Sequence, residues 1–138
     1  MRIDYQLKAY YDILWFACDL AGNIIVANSN EGNIPEFVEA DRERTEWLAK
    51  KLCHYSAIDR QRSVPIDYHA LAQMGFYCFA NDDPYDGSLY RLRAKPQSPR
   101  LLDSLDEDVK QLLLLQRLPM DVAACDCFVI QNEGKLEN

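Results

Sequence analysis

Residues 12–38 read DILWFACDLAGNIIVANSNEGNIPEFV, and this stretch decides the fold class. Ile13 to Cys18 is an unbroken apolar run with two aromatics. A run that short and that apolar predicts a strand buried on both faces. Asp19 to Asn23 supplies turn chemistry, with Gly22-Asn23 at its end, and Ile24 to Ala27 is β-branched and apolar. Two such runs joined by a short polar loop predict a β-hairpin. Asn28 to Asn33 is a polar loop, and Pro35 suits the first position of a following helical turn.

Helical periodicity follows over Asp41 to Tyr55, with Leu48, Leu52 and Tyr55 on one stripe and Thr45 or Phe37 extending it. Arg42, Glu43, Glu46, Lys50 and Lys51 face outward, and Glu46 and Lys50 are spaced for an i,i+4 ion pair. Residues 57–67 read as loop and Tyr68 to Met74 as a short helix. Phe76 to Ala80 predicts the next strand, the Asn/Asp/Pro/Gly-rich stretch 81–87 a turn, and the alternating Ser88 to Ala94 a half-exposed strand that closes a second hairpin. Ser104 and Glu107 match a capping box, opening a helix that runs to Leu118 before Pro119. Asp126 to Gln131 predicts a last strand. The sum is one α+β domain over residues 1–138: an antiparallel sheet of about five strands, from two hairpins plus a C-terminal strand, with two main helices packed on it.

The formal charge is −7, from 22 acidic and 15 basic residues. That balance repels phosphate backbones, excludes general nucleic-acid binding and suits a basic protein partner. The five cysteines form an odd set, with Cys18, Cys53 and Cys78 inside apolar or amphipathic runs, which predicts reduced thiols and a cytoplasmic setting. Met1 to Leu7 lacks an apolar signal core, and no apolar run approaches the roughly 20 residues of a membrane helix.

No reactive constellation emerges. Cys125 and Cys127 are spaced Cys-x-Cys without a second pair, so no metal site is expected. Cys53 and His54 are adjacent on a helix and point apart, and His69 stands alone, so no catalytic residue and no cofactor are assigned. Asp82, Asp83, Asp86 and Gly87 fail the calcium-loop pattern: Pro84 falls at a ligand position and Arg93 stands where the bidentate Glu belongs. Arg91, Arg93, Lys95 and Arg100 form a basic group that reads as charges guarding a solvated strand. Within the leucine run, Val109, Leu112 and Leu113 share a stripe with Leu105, whereas Leu114 and Leu118 point elsewhere and are candidates for a homodimer contact.

Trp15, Phe16, Asp19, Gly22, Asn23 and Ile24, then Gly32 and Pro35, give a W-F-x-x-D-x-x-G-N-I hairpin followed by a Gly/Pro loop. This pattern resembles the opening of small bacterial immunity proteins of polymorphic toxin systems. Gly75-Phe76-Tyr77, Tyr90-Arg91-Leu92 and the Pro96 to Pro99 turn resemble the second half of the same type of protein. The resemblance implies a non-enzymatic inhibitor that docks on a toxin. Net charge and loop placement then nominate Glu31, Asp82, Asp83 and Asp86 as the surface for a basic toxin. Two other readings stand beside it: a small enzyme with a cleft between the hairpins, using His54 or His69, and a homodimeric structural or regulatory domain.

Overall fold

The computed structural model describes every residue except Gln61, Ser63, 83–86, Glu133 and Asn138. Both hairpins form. In the first, β1 (Asp12–Cys18) and β2 (Ile24–Asn28) pair antiparallel, Trp15 opposite Ala27 and Phe16 opposite Val26. In the second, β4 (Tyr77–Asn81) pairs with β5 (Leu89–Ala94), and β6 (Cys127–Ile130) adds to the outer edge of β5. Two-residue strands, β3 (Ile58–Asp59) and β7 (Leu136–Glu137), finish the two edges in the order β3-β1-β2-β4-β5-β6-β7.

The sheet is mixed, which corrects the all-antiparallel expectation. The hairpins join through β2 and β4, which run parallel, Ile25 opposite Tyr77 and Asn28 opposite Ala80. A parallel pair needs a long crossover. Here it holds α2 (Glu36–Glu39), α3 (Arg42–Cys53), β3 and α4 (Tyr68–Gln73). An N-terminal helix, α1 (Tyr5–Tyr10), is capped by the Asp4 carboxylate, which accepts from Leu7 N–H.

Both faces of the sheet are buried. Leu14, Phe16, Ile24, Val26 and Cys78 face α3, α4 and α5 (Glu107–Leu113). On the opposite face Trp15, Phe79, Tyr90 and Phe128 gather, closed over by Ile3, Val38, Leu118, Met120 and Val122. Trp15 meets Tyr90 edge-on at 5.5 Å, and Tyr90 stacks on Phe128 at 5.1 Å. Each such pair adds about 0.5–1.5 kcal/mol beyond area burial. The Tyr90 hydroxyl accepts from Trp15 Nε1–H and donates to the Asn33 carbonyl, so neither ring buries an unpaired polar atom.

Three local expectations change. α5 begins at Glu107, and Ser104 Oγ donates to the Leu101 carbonyl instead of capping the helix. α5 ends at Leu113, and the chain then runs along the free edge of β1: Cys18 N–H donates to the Gln116 carbonyl, Leu118 N–H to the Cys18 carbonyl, and Gln116 Nε2 to the Phe16 carbonyl. Leu118 is therefore in extended chain and fully buried in the aromatic layer, which removes it as a dimer contact. On α3, Glu46 pairs with Arg42 at 2.6 Å, not with Lys50.

The β1–β2 turn is held by a buried carboxylate. Asp19 has no solvent exposure. Its Oδ1 accepts from Ala21 and Asn23 N–H, and its Oδ2 from Asn23 Nδ2 and from Val122 N–H at 2.9 Å. Gly22 takes a left-handed φ of 86° between them. The W-F-x-x-D-x-x-G-N-I pattern at 15–24 is thus a fold motif: Trp15 and Phe16 fill the two core layers, while Asp19, Gly22 and Asn23 build the turn. No helix among the described residues is long and apolar enough to cross a membrane.

Asp19→Ala leaves four N–H groups without their acceptor, and the three on buried Asn23 and Val122 cost about 1–3 kcal/mol each when unsatisfied. Urea unfolding should show a loss of at least about 3 kcal/mol, read as a lower midpoint at unchanged slope. A midpoint within error of wild type would contradict this role for Asp19.

Candidate functional site

β2 and β4 end side by side, so the loop after β2 and the turn after β4 meet at one end of the sheet. Ser29 continues the β1–β2 ladder, its Oγ accepting from Ile13 N–H and its own N–H donating to the Ile13 carbonyl. The chain then turns through Asn30 and Glu31, both left-handed, with φ of 50° and 66°. Asn30 Nδ2 donates to the Asn81 carbonyl, Gly32 N–H to the Ser29 carbonyl, and Asn33 N–H to the Gly87 carbonyl at 2.8 Å. Asn81 Nδ2 also donates to Gly87. Gly32 is pressed into this junction: a Cβ there would lie 2.6 Å from the Gly87 carbonyl oxygen. The second hairpin braces the loop through these bonds, and two non-glycine residues in the left-handed region store strain of order 1–3 kcal/mol each.

The acidic residues gather at this end. Asp12 and Asp59 are register partners of β1 and β3. Burial raises the Asp12 carboxyl above its ordinary range; Glu31 and Asp59 push it the same way and Arg62 opposes them. Glu31 is exposed and enters no ion pair among the described residues. It borders a groove of about 480 Å³ with Tyr5, Lys8 and Asn33, where Lys8 is tied to Glu39 at 3.2 Å and Tyr5 is 72% exposed. Asp82, the first residue past β4, is exposed and pairs with Arg91 at 3.0 Å. Asp83 and Asp86 lie outside the described residues. The structure thus brings the Glu31 loop against the root of the Asp82 turn and places Asp12 and Asp59 at the same end. Those two escaped sequence reasoning because pairing with the two-residue β3 left no periodic signal.

Elsewhere the chemistry is structural. The thiols of Cys18, Cys53 and Cys78 are buried and donate to the carbonyls of Leu113, Ala49 and Tyr68. Burial pushes all three upward, Cys78 to about 12, so none is a ready thiolate. Tyr68 and Tyr90 are raised for the same reason. His54 takes the left-handed cap position of α3 (φ 64°), and His69 is exposed on α4. The hairpins hydrogen-bond to each other through β2 and β4, so the space between them is sheet and not a cleft. Among the described residues no group of three His, Cys, Asp or Glu side chains could hold a metal ion. Leu114 is 38% exposed, and its neighbour Leu115 is more so at 59%.

No protein-family model, curated protein or solved structure matches the chain.

Asp12 opposes folding at neutral pH. Its carboxyl is raised in the folded chain, so the fold favours the protonated form; that preference is present in acid and is lost as pH rises through the raised value. Asp12→Asn should raise the denaturation midpoint at neutral pH, with the gain vanishing in acid, where Asp12 is already protonated. A lower midpoint for the variant at neutral pH would reverse the assignment.

Proposed function

We propose that this protein is an immunity-type inhibitor: a non-enzymatic domain that docks its acidic sheet end on a basic bacterial toxin. One observation carries the reading. The Glu31 loop is exposed, strained and braced, and its carboxylate enters no ion pair among the described residues, beside Asp12, Asp59 and the Asp82 turn. A braced, mainly acidic surface steers an oppositely charged partner and loses little freedom on binding. The −7 charge and the resemblance at Trp15 to Ile24 point the same way. The placement at a sheet end follows from the parallel β2–β4 pair, which brings two polar connections together.

The test is co-expression with the toxin-type domain encoded beside this protein's own gene, followed by binding kinetics. The reversal set Glu31→Lys, Asp82→Lys, Asp83→Lys and Asp86→Lys should slow association by about ten-fold or more at low salt and flatten its salt dependence. Unchanged kinetics would remove the acidic end as the docking surface; the absence of any toxin-type neighbour would remove the immunity reading.

A homodimer is the second reading, favoured by the exposed side chains of Leu20, Leu101, Leu114 and Leu115. Sedimentation should then show a dimer that Leu115→Glu converts to a monomer. A wild-type chain that stays monomeric at high concentration rules this out.

A further inference from the structure

The groove of about 480 Å³ beside Glu31 runs along α1. No residue of that helix is fully buried, and Tyr5, Lys8 and Ala9, spaced i, i+3 and i+4, line the groove together. Glu31 and Asn33 line it from the loop that the second hairpin braces. These groups differ in what they have left to bond. Lys8 is committed: its side chain is largely buried and its ammonium donates to Glu39 at 3.2 Å. Glu31 is not: its carboxylate enters no hydrogen bond or ion pair among the described residues. The chain on either side of it is tied down, Asn30 Nδ2 to the Asn81 carbonyl and Gly32 N–H to the Ser29 carbonyl. Asn33 Nδ2 donates to the Ile130 carbonyl at 2.9 Å, which fixes the carboxamide and leaves Oδ1 an acceptor with no partner among the described residues. Tyr5 is 72% exposed, and among the described residues no ring or cation stacks on it.

We infer that this groove receives an arginine side chain of the partner protein, which makes Tyr5 and Glu31 the anchor of the docking surface; the partner's identity rests on the immunity-type reading above, the choice of side chain on the groove alone. The groove has an uncompensated negative charge, an uncommitted neutral acceptor and an open aromatic face, and its one cation is already paired. A guanidinium is the side-chain group that uses all three at once. Its edge donates two parallel N–H bonds to a carboxylate and has a further N–H for a carboxamide oxygen, while its planar face lies on a tyrosine ring. A lysine ammonium answers the carboxylate but is compact and strongly hydrated, so it gains less from the ring. An anion would meet an unpaired carboxylate, and an apolar group would strip that carboxylate of water without replacing its hydrogen bonds. Tyrosine is also a residue type on which interface energy concentrates, because it brings a large contact area with two torsions to fix. The acids at the Asp82 turn then steer the approach, and the groove holds what arrives.

Two measurements separate the groove from the reading it rests on. In the first, the full-length, isotope-labelled chain is titrated with a tetra-arginine peptide, with a tetra-lysine peptide and with sodium chloride at matched ionic strength. Saturable amide shifts at residues 5–9 and 31–33 are expected with the arginine peptide, with a dissociation constant of about 1 mM for one anchored side chain. Tyr5→Ala should weaken that binding about three-fold or more, Tyr5→Phe should restore it, and Glu31→Gln should abolish it, all with the rest of the spectrum unchanged. Equal binding of the two peptides, shifts that sodium chloride reproduces, or binding that survives Tyr5→Ala and Glu31→Gln would overturn the groove. In the second, Tyr5→Ala is measured against the toxin-type domain encoded beside this protein's gene. Dissociation should quicken about five-fold with association nearly unchanged. Unchanged dissociation, in a chain whose association still slows on charge reversal, would overturn the groove and leave the immunity reading standing. Arginine-selective peptide binding in a chain that binds no such domain would keep the groove and overturn the immunity reading.

Discussion

The Asp19 carboxylate is the contact on which the architecture turns. A fully buried charge is tolerated only where its lone pairs are filled, and here four N–H groups fill them, three from the turn it closes and one from Val122, more than a hundred residues along the chain. That last bond places the 118–125 segment over the aromatic layer, where Leu118, Met120 and Val122 cover Trp15 and its neighbours. Gln116 performs the companion task on the edge of β1: its main chain and side chain take the ladder positions a further strand would have used, and Arg44 Nε donates to its Oε1 at 2.7 Å. Together they let a strand with six fully buried residues sit near the margin of the sheet without exposing an open edge.

The parts of the fold legible in the sequence were those whose determinants are local. Both hairpins, the half-exposed alternation of β5 and the amphipathic α3 each follow from turn residues or from periodicity over a few residues. What escaped is non-local. The parallel β2–β4 junction depends on how far the crossover through α3 and α4 reaches, and no residue in either strand announces it. Leu118 was misplaced because helical spacing was extended past Leu113, where the chain leaves the helix to pair with Cys18. Of the candidate site, Glu31 and the turn at Asp82 were readable as polar loops; their meeting through Asn81 and Gly87, and the reinforcement by Asp12 and Asp59, were not, because both arise from strand order.

Strand order also sets where the surface charges fall. Acids collect where β2 and β4 end and β1 begins, and basic side chains stand among them: Arg62 lies 4.0 Å from Asp59 and Arg91 3.0 Å from Asp82. The potential at this end is therefore the difference between the two signs, to which the exposed Glu31 contributes outside any ion pair among the described residues.

The acidic end also departs from what stability alone favours. Asp12 is partly buried beside two like charges, and Asn30 and Glu31 occupy a conformation in which glycine is at ease. Each departure opposes folding, and each is held by bonds from elsewhere: Asn81 and Gly87 brace the loop, and Ser29 anchors it to β1. Local rules broken together at one exposed place, and satisfied nearly everywhere else, mark a surface shaped for something other than the fold. A flexible acidic segment would supply the same charge without this strain, but it would lose its freedom on binding. The braced loop has met that entropy loss during folding, so the geometry it presents is already the one a partner would meet.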